Sequence, residues 1–237
     1  MTEGIFFIVG SYLWGSLPSA YLVSRYCRGI DIRQYGSGNV GAANVMTHIG
    51  IRTGWLLGTF DCLAKGTLPI VLANLLDQSY AVQSGIGIAA IAGHNWSLYI
   101  RFTGGRGVAT AIGVVLGSLM WPEALILAVV LGGCGQLIFR EMGFWTFISM
   151  LLLPVLAFLF DRPPEILYMT LAIIGLLITK RLTANWQPPS REYPLIIVMA
   201  CRVLWDRDVP KKANWTKRQP LLKEEGNAGD VENKILS

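Results

Sequence analysis

Apolar runs long enough to cross a lipid bilayer constrain this chain more than any other feature of its sequence. A helix needs about 20 apolar residues to cross the hydrocarbon core, and about 17 is the usable lower end. Such runs cover residues 4–24, 54–76, 80–100, 107–121, 122–139, 144–160 and 164–179. They predict an all-α integral membrane protein, a bundle of about seven transmembrane helices. Because the last four runs are short and closely spaced, five or six helices remain as alternatives.

Composition agrees with a membrane location. Of the 237 residues, 53% are hydrophobic and 15% are charged, whereas a soluble domain carries about 25% charged residues. The net charge of +5 and the pI near 9.1 follow from basic loops at a membrane surface. They do not indicate nucleic-acid binding.

The charges between the runs predict the orientation of the bundle, because Lys and Arg collect in cytoplasmic loops. The loops after the first, third and fifth runs and the stretch after the seventh contain nine basic residues: Arg25, Arg28, Arg33, Arg52, Arg101, Arg106, Arg140, Lys180 and Arg181. The alternate loops contain one, Arg162, together with the acidic residues Glu3, Asp77, Glu123, Asp161 and Glu165. This alternation predicts seven helices, the N-terminus outside and the C-terminus in the cytoplasm.

Two further features bear on the cellular compartment. The first run could be a secretory signal, but signal peptides begin with a basic region, and this chain begins with Thr2 and Glu3. The cysteines show no CxxC spacing, which predicts reduced thiols and neither a disulfide nor a zinc site; they are Cys27, Cys62, Cys134 and Cys201.

The composition changes near Trp186, which predicts a division of the chain. Residues 1–186 are expected to form the membrane-embedded domain, and residues 187–237 a cytoplasmic tail. The stretch LIIVMACRVLW, residues 195–205, is too short to span a bilayer and predicts an interfacial helix, followed by a disordered end. The tail's basic cluster is expected to rest on anionic lipid headgroups; it comprises Lys211, Lys212, Lys217 and Arg218.

The first predicted cytoplasmic loop contains the stretch DIRQYGSGNVGAANV, residues 31–45. Its glycines Gly36, Gly38 and Gly41 have the G-x-G-x-x-G spacing of dinucleotide-binding proteins, but that motif must follow a β-strand, and this one follows a membrane span. Glycines nevertheless let backbone N–H groups converge on an anion, and Ser37, Asn39 and Asn44 add neutral polar groups. The alternative is a polar turn at the membrane edge.

A second glycine-rich loop is predicted on the same side of the membrane. The stretch RFTGGRGVAT, residues 101–110, contains Gly104, Gly105 and Gly107 around Arg106. Two such loops on one face favour a binding site for phosphate carried by a small or lipid-like molecule.

Other polar residues are expected near this face. His94 ends the third run, where it is either a functional group or a helix-capping residue. Asp61 and Lys65 are spaced four residues apart in the second run, the order that favours an ion pair. Charges inside a membrane generally mark functional sites, but a structural pair is the alternative.

Four sequence motifs and one late asparagine follow each other along the chain: GSLPSAYLVSR, DIRQYGSGNVGAANV, DCLAKG, GHNWSLYIRFTGGRGVATAIG and Asn185. With these motifs the chain resembles the bacterial acyl-phosphate:glycerol-3-phosphate acyltransferases over about residues 4–186. The resemblance implies a multi-pass enzyme of the bacterial inner membrane with its active site facing the cytoplasm. It also implies transfer of an acyl group from acyl phosphate to the 1-hydroxyl of glycerol 3-phosphate, which gives lysophosphatidic acid. Membrane lipids and the enzyme that produces acyl phosphate are the other implied partners.

The resemblance also implies roles for particular residues. Ser37, His94, Arg106 and Asn185 are expected to be catalytic. The residues expected to bind substrate are Gly36, Gly38, Asn39, Gly41, Asn44, Gly104, Gly105, Gly107 and Thr110. No cofactor and no metal are expected, because acyl phosphate is already activated and catalysis can rest on alignment and on donors to the developing charge.

Some family positions carry different residues here. Thr47 stands where an arginine is usual, Arg106 replaces a lysine, and Leu182 replaces a histidine. Thr146 is the nearest hydroxyl to a position where serines are usual. These changes predict weak or altered activity, and a non-catalytic lipid-phosphate binder is the main alternative. A transporter, which would be expected to show internal repeats, is less favoured.

Overall fold

The protein is described by a computed structural model over residues 2–210, and this part of the chain is mostly helical. Its α-helices are α1 (Thr2–Gly15), α2 (Ser19–Arg28), α3 (Ala42–His48), α4 (Ile51–Phe60), α5 (Leu68–Leu75), α6 (Tyr80–Asn95), α7 (Val108–Gly117), α8 (Trp121–Ala128), α9 (Met142–Leu159), α10 (Pro164–Thr183) and α11 (Leu195–Trp205). Two π-helical segments, Asp61–Thr67 and Val129–Ile138, continue α4 and α8. Short 3₁₀ turns cover Ile32–Gln34, Leu98–Ile100 and Ala184–Trp186.

Helices occupy all seven predicted spans, although not at full length. By length and composition, five helical stretches in the described residues can cross a membrane: Glu3–Arg28, Ile51–Leu75, Trp121–Ile138, Met142–Leu159 and Pro164–Trp186. The other two predicted spans are occupied by α6 and α7, which have 16 and 10 residues. Between them, residues 96–107 contain only a 3₁₀ turn and an isolated β-bridge between Ser97 and Thr103.

The apolar side chains divide into a buried core and an outward-facing surface. The core lies among α5, α6, α7, α9 and α10 and includes Ile70, Ile86, Val114, Met169 and Ile173. Large apolar side chains also face outward along the long helices, among them Phe6, Leu56, Leu125 and Phe158. A surface of this kind is suited to lipid, which is the environment that the sequence predicts.

Glycines bring the backbones of the central helices into direct contact. A Cβ atom on Gly113 of α7 would lie 1.9 Å from the carbonyl oxygen of Cys62, and one on Gly93 of α6 would lie 2.2 Å from that of Tyr12. Small residues allow this kind of close helix packing in membranes. The packing sets the N-terminus of α7 beside the π-helical segment Asp61–Thr67.

The last described helix, α11, packs back onto the bundle against α9 and α10. Its C-terminal Trp205 stacks on Phe144 of α9 with ring centroids 6.4 Å apart. The position of α11 matches the short helix expected over residues 195–205, whereas the division of the chain at residue 186 stays a prediction. The basic cluster of the tail lies outside the described residues.

Candidate active site

The two glycine-rich loops lie against each other. The backbone N–H of Val40 donates to the carbonyl oxygen of Gly104 at 3.2 Å. Asn185 joins the same loops: its Nδ2 donates to the carbonyls of Gly38 (3.2 Å) and Gly104 (3.0 Å), and its Oδ1 accepts from the N–H of Gly104 (2.9 Å). Three stretches that are distant in sequence therefore meet at one point, as the sequence predicts for a shared site.

The first loop is held in shape by its own polar side chains. Asn44 is buried, and its Nδ2 lies within 3.1 Å of the carbonyls of Ile32, Tyr35 and Asn39. Asn44 thus holds three backbone carbonyls of the loop together. Ser37 is half-buried, and its Oγ accepts a long hydrogen bond of 3.4 Å from the N–H of Asn39. Gly36 and Gly38 have positive φ values of 53° and 68°, which favour glycine.

An ion pair between Asp31 and Arg33 lies at the start of this loop. Arg33 donates to both carboxylate oxygens of Asp31, and the Nη2–Oδ2 distance is 2.6 Å. This hydrogen bond holds the pKa of the Asp31 carboxyl below its usual range. Asp31 also accepts from the backbone N–H of Arg33, so its side chain caps the 3₁₀ turn before the glycines.

The second loop packs directly on the end of α6. The N–H of Gly105 donates to the carbonyl of His94 at 3.0 Å, and a Cβ on Gly105 would lie 1.9 Å from Nε2 of the His94 ring. Gly107 has a φ of 75°, and a Cβ there would lie 2.5 Å from Oδ1 of Asn95. No other residue type fits positions 105 and 107 without movement, which explains why glycine stands on both sides of Arg106.

A small cleft opens beside Gly104, Gly105 and His94, and Lys65 and Ser19 also line it. A network of buried polar groups forms its wall. Lys65 Nζ lies 2.6 Å from Asp61 Oδ1 and donates to Ser19 Oγ at 3.0 Å. Ser19 Oγ in turn donates to Asp61 Oδ1 at 3.0 Å.

The break between α1 and α2 completes this wall. Pro18 cannot continue a helix, and the break leaves the carbonyl of Leu17 as an acceptor for Lys65 Nζ at 2.7 Å. His94 Nδ1 lies 3.8 Å from Asp61 Oδ1, which is beyond hydrogen-bond distance. The sequence identified Asp61, Lys65 and His94 separately. In the structure Lys65 and His94 line one cleft, and Asp61 lies behind it in contact with Lys65 and Ser19.

Arg106 does not line this cleft. Its Nη1 donates to the carbonyl of Lys180 at 3.2 Å, and its Nε lies 3.0 Å from Oδ1 of Asp206. The Lys180 ammonium is buried and donates to the carbonyl of Asn95 and, at 2.6 Å, to Oδ1 of Asn185. Sequence reasoning treated Lys180 only as a sign of topology and Asp206 only as part of the tail, so it missed both contacts.

Comparison with known proteins decides the family. The sequence model of the glycerol-3-phosphate acyltransferase family matches residues 5–188. Glycerol-3-phosphate acyltransferase 5 of Dehalococcoides mccartyi is 36% identical over 233 residues, which cover 93% of this chain and 96% of that protein. The glycerol-3-phosphate acyltransferase of Trichlorobacter lovleyi is 39% identical over 180 residues, which cover 76% and 91%. The chain belongs to the glycerol-3-phosphate acyltransferase family.

A solved structure supports the same assignment for the fold of this acyltransferase. The fold of this chain resembles the crystal structure of PlsY (YgiH), an integral membrane glycerol 3-phosphate acyltransferase, in its glycerol 3-phosphate form. The TM-score is 0.70 and the identity 30%, over 76% of this chain and 88% of that one. The resemblance found in the motifs is therefore confirmed, and an enzyme is favoured over a non-catalytic binder or a transporter.

The positions at which the acyltransferase departs from its family pattern lie in different surroundings. Thr47 is exposed and donates to the carbonyl of Ala43 in its own helix. The Leu182 carbonyl accepts from Arg202 at 2.8 Å, which ties this position to α11. Thr146 is buried and donates to the carbonyl of Met142. None of the three has a side-chain contact with the glycine-rich loops among the hydrogen bonds of the described residues.

An apolar groove begins next to the second loop of the acyltransferase. Its walls come from α7, α8 with its π-helical continuation, α9 and α10, and include Val108, Leu131, Met150 and Ile173. Val108 follows Gly107 directly. Thr110, expected to bind substrate, points elsewhere: it is buried, and its Oγ1 has no hydrogen-bond partner within residues 2–210.

Proposed function

We propose that this protein transfers an acyl group from acyl phosphate to glycerol 3-phosphate, which yields lysophosphatidic acid and inorganic phosphate. The observation that carries the proposal is the junction of the two glycine-rich loops, bridged by Asn185, between the Lys65–His94 cleft and the Arg106–Lys180 cations. Two phosphate-bearing substrates need two cationic subsites, and this junction has a cation on each side.

The apolar groove suggests which substrate belongs to which subsite. An acyl chain loses contact with water when it lies in such a groove, which favours binding by roughly 25 cal/mol per Å² buried. Because the groove begins at Val108, a chain within it brings its activated carboxyl to the second loop and its phosphate towards Arg106. Glycerol 3-phosphate then takes the cleft, which Lys65, Ser19 and His94 line with polar groups.

The reaction needs little from the protein besides alignment. The 1-hydroxyl oxygen of glycerol 3-phosphate attacks the acyl carbonyl carbon, and the bond from that carbon to the phosphate oxygen breaks. Inorganic phosphate leaves, and one of its oxygens accepts the hydroxyl proton. Ser37, His94, Arg106 and Asn185 contribute by holding the reactants and stabilising the developing negative charge, the kind of preorganisation that accounts for much enzymatic rate enhancement.

The same proposal includes the setting of the enzyme. We place it in the bacterial inner membrane with seven transmembrane helices, the N-terminus outside and the site at the cytoplasmic face, where acyl phosphate and glycerol 3-phosphate are supplied. Residues 1–186 form the catalytic domain in this view. The positive charge of the loops on one side supports it. The enzyme that produces acyl phosphate is the partner that this arrangement calls for.

An assay with two donors tests the function. Purified protein in detergent or lipid is incubated with glycerol 3-phosphate and either acyl phosphate or acyl-CoA, and lysophosphatidic acid is measured. We expect product with acyl phosphate, together with one inorganic phosphate released for each product formed, and none with acyl-CoA. His94→Ala should lower the rate, whereas Thr183→Ala, which loses only hydrogen bonds within α10, serves as the matched control. The proposal would be contradicted if acyl-CoA gave product and acyl phosphate did not, or if no product formed with either donor.

A further inference from the structure

The segment that follows the matched family region is anchored to the bundle by arginines. Arg202 of α11 pairs with both carboxylate oxygens of Asp208, at 2.6 and 2.9 Å, and both side chains are buried. Arg181 of α10 donates to the carbonyls of Val203 (2.5 Å) and Gly143 (2.8 Å). Arg207 pairs with Glu141 at 3.0 Å. These contacts fix the residues between them in space.

Asp206 lies between these anchors and faces Arg106. Its Oδ1 is 3.0 Å from Nε of Arg106, and it is the one carboxylate paired with Arg106 in residues 2–210. Two further cations lie near the pair, because the side chains of Lys180 and Arg181 both interact electrostatically with Arg106 and Asp206. Lys180 and Arg181 already donate to carbonyl or amide oxygens. Asp206 therefore provides the negative charge nearest to the guanidinium that we assign to substrate phosphate.

The geometry of the Asp206–Arg106 contact differs from that of a structural ion pair. The neighbouring Arg202–Asp208 pair is bidentate, and its side chains are 4% and 5% exposed. Asp206 is 24% exposed, and despite the 3.0 Å separation neither Arg106 Nε nor Asp206 Oδ1 has a partner in hydrogen-bond geometry. The contact is thus an attraction of charges without a directed hydrogen bond. A phosphate oxygen, which can align with a guanidinium N–H, would be the better partner.

We propose that Asp206 occupies the place of a substrate phosphate oxygen at Arg106, so that it competes with that phosphate and sets the apparent affinity of the enzyme for it. The inference rests on the proposed function in assigning Arg106 to a phosphate. It makes the segment of residues 195–208, which continues beyond the matched family region, a part of the active site. The shared chemistry is a phosphate monoester or acyl phosphate dianion, and the two substrates are distinguished by the test.

The test uses Asp206→Asn in the full-length protein. Asp206 has a φ of 58°, and asparagine tolerates that left-handed conformation better than most residues, so the backbone is kept while the charge is removed. Kinetics are measured with acyl phosphate and glycerol 3-phosphate varied in turn. We expect KM to fall about two- to fivefold, the range of a partly exposed ion pair, for acyl phosphate and not for glycerol 3-phosphate, with kcat unchanged or higher. Inorganic phosphate should inhibit at a correspondingly lower concentration.

Controls separate the possible outcomes. Glu192→Gln removes one exposed carboxylate from the stretch before α11 and should leave both KM values unchanged. A lower KM for glycerol 3-phosphate alone would show competition but reassign Arg106 to the acceptor. Unchanged KM values for both substrates, or a lower kcat at constant KM, would overturn the proposal and make Asp206 a group that positions Arg106. If Asp206→Asn does not fold, Asp206→Gly, which suits the same backbone conformation, replaces it.

A binding measurement keeps this inference separate from the function. If the wild-type protein transfers no acyl group, the proposed function fails, and the Asp206 proposal is then tested by inorganic phosphate binding alone, followed by isothermal titration calorimetry. Tighter phosphate binding to Asp206→Asn than to the wild type supports competition. Equal binding overturns it.

Discussion

At the scale of single residues, the candidate site is built more from backbone groups than from free side chains. Asn44 and Asn185 direct their amides at carbonyl oxygens of the loops, and the N–H groups of Gly38, Gly104 and Gly105 donate to acceptors within the protein. Arg106 is different, because within residues 2–210 its guanidinium contacts one carbonyl and one carboxylate that is not in hydrogen-bond geometry. Two residues of the site therefore have separable roles, Arg106 in binding and Asn185 in shaping the loops.

Replacing Arg106 should weaken phosphate binding. Arg106→Ala removes a charge-assisted contact of about 1.5–3 kcal/mol, so we expect KM for acyl phosphate to rise roughly 10- to 150-fold. Arg106→Lys should restore part of the loss, because it keeps the charge but not the planar fork. Steady-state kinetics measure both. Arg101→Asn removes an exposed base from the same loop and should change KM little; an equal effect would show that Arg106 acts only through general surface charge.

Replacing Asn185 should lower turnover instead. Asn185→Ala removes three hydrogen bonds that join Gly38 and Gly104, and we expect kcat to fall roughly ten- to a hundredfold because the loops lose their alignment. The single-turnover rate at saturating substrate reports this directly. Normal kcat with a raised KM would mean that Asn185 binds substrate without shaping the loops.

At the scale of helices, close backbone contact determines where the site forms. Gly66 and Gly113 let the π-helical segment Asp61–Thr67 and α7 touch, which sets Asp61 and Lys65 beside the second loop. A π-helical segment is often found at functional sites, and here it sets Lys65 in the cleft lining with Asp61 behind it. The ion pair expected from the sequence is formed, and a direct functional role for it stays a prediction.

A methyl group at the α7 contact should destabilise the fold. A Cβ on Gly113 would lie 1.9 Å from the carbonyl oxygen of Cys62, and overpacking of this kind costs about 1–3 kcal/mol. We expect Gly113→Ala to lower Tm in detergent, measured by a thermal-unfolding assay. Gly132→Ala is the matched control, because a Cβ on Gly132 has nothing within 4 Å. Equal Tm values for the two variants would contradict the packing argument.

The sequence predicted the positions of helices and loops better than the contacts between distant residues. The two glycine loops could be found from their residue types at predicted membrane edges, and Asn185 from its place in the family motifs. The contacts of Lys180 and Asp206 could not, because each depends on how α10 and α11 pack, and no local pattern encodes that. The C-terminal ends of two spans were also misplaced: the run at 80–100 predicted helix beyond Asn95, where α6 ends, and the run at 107–121 predicted helix beyond Gly117, where α7 ends.

At the scale of the whole molecule, the irregular segment between two short helices explains why the helix of the run at 80–100 ends early. α6 and α7 lie within a bundle of longer helices, and residues 96–107 between them are irregular. Irregular backbone at membrane depth is tolerated only where protein buries it or where it lines a cavity. Here Gly104 and Gly105 are buried, line the cleft and donate to or accept from Asn185 and His94. The protein thus buries the irregular backbone of this loop and uses it to line the cleft.

The orientation of the bundle can be tested with a native residue. Cys27 is exposed near the C-terminal end of the first helical stretch, Glu3–Arg28, whereas Cys201 is buried. In sealed inverted vesicles a membrane-impermeant maleimide should label Cys27, and in right-side-out vesicles it should not. Asp161→Cys, in a Cys27→Ser background, should show the opposite pattern. Labelling of Cys27 from the outer face would reverse the predicted topology.

The bond between Asn185 and Gly38 also bears on how the enzyme is made. The two residues are separated by 147 positions, and α10 must be in place before the Asn185 amide can reach the first loop. A ribosome that has delivered only the earlier helices to the membrane has therefore produced a protein without an assembled site. We therefore expect a nascent chain to gain most of its activity only when the last long span has been inserted and the bundle is complete.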